Sequence, residues 1–132
     1  MTVLEEGLKT YVEAQVTAAG KGYPIEIPED AAFPAWSYQT IEDDQLLHHQ
    51  GGTGFYRARI QLDFMAKETV SQSDYAVIKG IAASVRAALD GFKGSWSGVQ
   101  IKYCKTTLSD DWADIHKLPV QRFDVTINYK LA

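Results

Sequence analysis

From residue 55 onward the chain alternates. In FYRARIQLDFMA, Ala58, Ile60, Leu62 and Phe64 fall on one side and Arg57, Arg59, Gln61 and Asp63 on the other, the period of a strand with one packed and one polar face. The same period returns near the end of the sequence. There Phe123, Val125, Ile127, Tyr129 and Leu131 alternate with Arg122, Asp124, Thr126, Asn128 and Lys130, which predicts a strand over 120–131. Two less regular stretches, AWSYQTIE at 35–42 and a run at 99–108, carry the aromatic and β-branched residues that favour strands. In the latter, Val99, Ile101 and Tyr103 form the apolar set and Cys104 lies opposite.

Two segments follow the helical period instead. Leu4, Leu8, Tyr11, Val12 and Val16 recur at helical intervals as far as Gly20, and Thr2 with Glu5 has the spacing of a capping box. Beyond Ser71, a candidate cap, Tyr75, Ile78, Ala82, Val85 and Leu89 make one stripe, with Lys79 and Arg86 outside it. The predicted order is αββαββ, two similar halves without sequence repetition. Each helix needs an apolar surface and each strand offers one. The expected fold is therefore a two-layer α+β domain spanning 1–132, with an antiparallel or mixed four-stranded sheet and both helices on one face.

The connections carry their own signals. Prolines at 24, 28 and 34 remove amide donors and force an extended arm or a sheet-edge segment. Glycines at 91, 94 and 98 mark a turn region. Between the first two predicted strands lies DDQLLHHQGGTG, residues 43–54. A hairpin there needs only about two turn residues, so the extra length suggests another use. Leu46 and Leu47 offer apolar contact surface, Asp43, Asp44, His48 and His49 polar contacts, and the glycines freedom to reshape on docking. The expectation is a mobile assembly loop of 43–53. The plain alternative is a passive connection.

Composition narrows the chemistry. With 13 Lys plus Arg against 17 Asp plus Glu, the chain has no basis for tight phosphate-backbone binding. One cysteine excludes an internal disulfide and a multi-cysteine metal cage. The start, MTVLEEGLKTYV, lacks the basic and apolar run of a signal peptide, and no stretch reaches the roughly twenty apolar residues of a membrane span. A soluble cytoplasmic product with no membrane association is the expectation. Adjacent histidines diverge, whereas metal ligands converge from positions two apart on a strand or four apart on a helix. GGTG lacks the Lys-Ser/Thr ending of a phosphate loop and leads into a strand. In SDDWADIH, Asp110, Asp111, Asp114 and His116 lack calcium-loop spacing, so that segment reads as an exposed turn with Trp112 as an anchor against the domain or a partner. No cofactor or metal is expected.

The whole pattern says more than any motif. LEEGLKTYV, then YPIEIPEDAAFPAWSYQTI, then GTGFYRARIQLDFMAKETVSQSDYAVIKGIAASVRAAL, and RFDVTINYK at the end, together resemble the tail-completion proteins of long-tailed bacteriophages and prophages. The resemblance covers nearly the entire chain. It departs from the pattern in reading GKGY before the arm, where an arginine is common among relatives. It implies a tail terminator, or tail-to-head joining protein: a ring, usually a hexamer, that caps the tail tube and meets the head connector while DNA passes through without specific binding. Its location would be the virion tail, assembled in the host bacterial cytoplasm. Two other readings compete with it. One is a small metal-dependent enzyme built on His48, His49 and neighbouring acids, the other a non-viral ligand-binding α+β module.

Overall fold

The computed structural model describes residues 3–25, 27–28, 34–48, 51–65, 72–96, 98–113 and 119–131. Two helices, α1 (Val3–Gln15) and α2 (Gln72–Leu89), pack on one face of a sheet of six strands: β1 (Lys21–Pro24), β2 (Ala35–His48), β3 (Gly51–Met65), β4 (Gly94–Trp96), β5 (Val99–Ala113) and β6 (Pro119–Leu131). The spatial order is β1-β2-β3-β6-β5-β4. Only β1 and β2 run parallel; every other pair is antiparallel, and the mixed sheet curls. The α+β class and the shared helix face agree with the sequence. The strand count does not.

The two extra strands are the sheet edges. β1 has four residues and β4 three, too short for alternation to reveal them, and each sits among the prolines or glycines that signal turns. With them the halves become α1-β1-β2-β3 and α2-β4-β5-β6. Their sheet order is mirrored about the antiparallel β3–β6 junction. The halves differ at their edges. β4 returns to β5 through a tight hairpin with Gly98 at φ +85°, whereas β1 reaches its parallel neighbour through the proline-containing segment.

The core lies between the helices and the inner sheet face. Leu4, Leu8 and Val12 from α1, and Ile78, Ile81, Ala82, Val85 and Leu89 from α2, are buried against Ala58, Ile60, Leu62 and Phe64 of β3 and Phe123, Val125 and Ile127 of β6. This is the alternation seen in the sequence, and burial of the fuller side chains contributes about 1.5–3 kcal/mol each. α1 stops earlier than predicted: Val16 leaves helical geometry and Thr17–Ala19 form a 3-10 turn ending at Gly20, φ +78°. The Thr2 and Ser71 caps fall outside the described residues.

The β5 face assignment is corrected. Ile101 opposes Tyr129 and Tyr103 opposes Asn128, so Lys102 is an extra residue, a bulge that reverses the pleat. Val99 and Ile101 are buried, but beyond the bulge Cys104 (0% exposed) and Thr106 point inward while Tyr103 is 43% exposed. Thr106 is satisfied there. Its amide and hydroxyl both donate to Asp90 (2.6 and 2.9 Å), Arg86 Nε donates to its hydroxyl (3.0 Å), and Gly91 N donates to the Cys104 carbonyl (2.8 Å). These bonds tie the end of α2 to β5.

Candidate functional site

The predicted loop of 43–54 is instead a paired arm. Asp43 opposes Ala58, Asp44 opposes Arg57 and Gln45 opposes Tyr56, and the ladder continues through Leu47–Gly52 and His48–Gly51. His49 lies outside the described residues. Polar residues and glycines suggested a connection because the segment shows no strand alternation. Two register shifts interrupt the arm's ladder, one with Ile41 as an extra residue on β2 and one where residue 46 of β2 faces residues 53–55 of β3. β3 runs past the end of its pairing with β6 at Phe55–Lys130 by residues 51–54, roughly 13 Å of strand.

The base of the arm is anchored. After the Ile41 shift Asp43 faces the same side as Ala58, and the Tyr129 hydroxyl donates to its carboxylate at 2.6 Å. Burial, then the hydrogen bond to Asp43, pushes the Tyr129 phenol above its ordinary range. Tyr56 stacks on Tyr129 with ring centroids 5.3 Å apart. Asp43 is therefore part of the fold as well as a surface residue.

Trp112 is also in a strand, not in an exposed turn. Asp110, Asp111 and Trp112 belong to β5 and oppose Arg122, Gln121 and Val120, after a second register shift at Ser109. Asp114 and His116 lie outside the described residues. Because β3 and β6 are antiparallel, the β2–β3 hairpin turns at one end of the sheet and the β5–β6 hairpin, with Trp112, at the other. The structure thus separates the two groups of candidate contacts.

On the face opposite the helices the polar residues of β3 and β6 interlock. Arg122 grips Asp63 with two hydrogen bonds, 2.7 and 3.1 Å, and Arg59 lies 3.3 Å from Glu42 and 4.0 Å from Asp124. Arg57 Nε donates to Asn128 at 3.4 Å. Such half-exposed pairs set register more than stability.

Chemistry has little to build on among the described residues. No three His, Cys, Asp or Glu side chains gather to hold a metal, and no helix is long and apolar enough to cross a membrane. Burial, then the charge of Asp90, pushes the Cys104 thiol up to about 12, the reverse of an activated nucleophile. A groove of about 390 Å³ runs between the start of α1 and the end of β1, lined by Glu5, Glu6, Pro24, Ile25, Tyr38, Gln39 and Thr40. The Thr40 hydroxyl donates to Glu5 at 2.6 Å. Ile25, at the lip, is 71% exposed and holds φ +70°, a conformation β-branched residues avoid. The prolines marked an extended arm or sheet-edge segment, and β1 is indeed a sheet edge, but the sequence did not place that edge beside the start of α1, so sequence reasoning missed this groove.

No family model matches the chain, and no curated protein matches it. Among solved structures, a chain from the virion of a native gene transfer agent particle is similar, with a TM-score of 0.60 at 13% identity over 99% of this chain and 98% of that one. The two share a fold. The likeness extends from end to end in both directions, so neither chain carries a large region foreign to the other.

Proposed function

We propose that this chain is a structural, non-enzymatic subunit of a phage-like virion, and within it a tail terminator. In that role a ring of copies, hexameric in the family it resembles, closes the tail tube and presents a surface to the head connector. The observation that carries the proposal is the end-to-end likeness to a virion chain, which joins the sequence resemblance to tail-completion proteins. The architecture supports it. A joining protein needs contacts on opposite sides, and the two long hairpins turn at opposite ends of the sheet. The β2–β3 arm, with Asp43, Asp44, Leu46, Leu47, His48 and His49, serves one partner. The β5–β6 end, with Trp112, serves the other. A formal charge of −4 suits a channel that lets DNA pass without holding it.

Deletion of the gene tests the assignment. Without the protein, electron micrographs should show tails of uncontrolled length or unstable ends beside unjoined filled heads. Normal tails on normal heads would remove the assignment.

A further inference from the structure

Rings need two different, complementary patches on each subunit, and the two edges of this sheet differ in charge. At the β1 edge, the groove beside Ile25 is lined by Glu5 and Glu6, with no basic residue among the described residues. Its negative field reaches Tyr38, whose phenol is raised first by burial and then by Glu6, Glu5 and Glu13. At the β4 edge, a cleft is lined by Lys93, Gly94, Ser95, Gln100, Ile101 and Lys102, with no acidic residue among the described residues. The acidic groove lies between the start of α1, the end of β1 and β2, and the basic cleft lies where β4 begins beside β5.

We propose that the acidic β1 edge of one copy docks on the basic β4 edge of the next, with Ile25 as the apolar knob and Glu6 facing Lys93 and Lys102. This rests on the ring reading above and names the surfaces that would close the ring. Two further charges near the edges have partners of their own. Lys21, at the far end of β1, lies over the Tyr23 ring at 5.9 Å, and Asp90, near β4, accepts from Thr106. Lys102 also lies 5.7 Å from the Phe55 ring, on the face away from the helices.

The contact is made by side chains, not by extension of the sheet. On β1 the Gly22 amide donates to Glu13 at 2.9 Å and Pro24 has no amide to offer, so this edge is blunted against strand addition. Ile25 supports the same view. Its amide donates to the Tyr38 carbonyl at 2.9 Å, which holds the strained residue outward, and strain of this kind gathers where a surface is used.

The test reverses one edge at a time. Glu6→Lys with Gln39→Lys makes both edges basic, and Lys93→Glu with Lys102→Glu makes both acidic. Each variant alone should raise the dissociation constant for self-association by about tenfold or more, read by sedimentation of the full chain at graded concentration. An equimolar mixture should regain assembly in alternating order, because each altered edge then meets its complement. That rescue separates a broken interface from a broken fold. Assembly unchanged by either reversal, or a mixture that stays dissociated while both variants keep the parent circular dichroism spectrum, would overturn the edge pairing and leave the ring reading intact. Absence of any ring of the parent chain, in solution and in particles, would overturn both.

Discussion

Individual residues show how little slack the core has. The Gly22 position places a Cβ 2.5 Å from the fully buried Trp36 ring, whose Nε1 donates to the Gly20 carbonyl. Alanine normally gains about 0.5–1 kcal/mol over glycine inside a strand. Here overpacking wins, and Gly22→Ala should destabilise the domain by about 1–3 kcal/mol in urea unfolding. Cys104 gives a second check. It is 0% exposed and its thiol is pushed up to about 12, so at pH 8 it should resist a thiol reagent until the chain unfolds. A thiol raised in the folded state favours the protonated form, so its contribution holds below the ordinary pKa and is lost as pH rises from about 9 towards 12. Alkaline titration of the unfolding midpoint should therefore show a decline starting near pH 9, reduced in Cys104→Ala.

At the scale of elements, the sequence revealed what the core dictates and concealed what it does not. β3 and β6 were legible because each alternate residue meets the helices. β5 was half legible: the bulge at Lys102 exchanges the faces of Tyr103 and Cys104, and no local pattern marks a single inserted residue. β1 and β4 are too short to show a period. The arm was misread most, since its polar residues and glycines show no strand alternation, although Asp43 is held by Tyr129. That difference is testable. Replacing residues 46–55 with Asn-Gly closes the hairpin on the Gln45–Tyr56 pair and keeps the Tyr129–Asp43 hydrogen bond. The shortened protein should fold with stability within about 1 kcal/mol of the parent yet fail to cap or join tails. Full activity in tail completion would show that the arm is only a connection. Removing residues from Asp43 onward should cost more stability, because it breaks that bond.

The whole molecule is two related halves placed head to tail about the β3–β6 junction, with unlike edges and with hairpins at opposite ends. On the proposed reading, those features would serve lateral contacts between neighbouring subunits and axial contacts with two different partners. A ring at the end of a tail requires both. The groove beside Ile25 was not legible in the sequence, since it forms only when β1 pairs with β2 beside the start of α1. The central claim is that this chain forms the ring between tail tube and head. It is tested most directly by a three-dimensional reconstruction of the head–tail junction in intact particles. The prediction is a closed ring of this fold, six copies in the family it resembles, with the β2–β3 and β5–β6 hairpins directed to opposite partners. A junction built without this chain, or this chain found elsewhere in the particle, would contradict it.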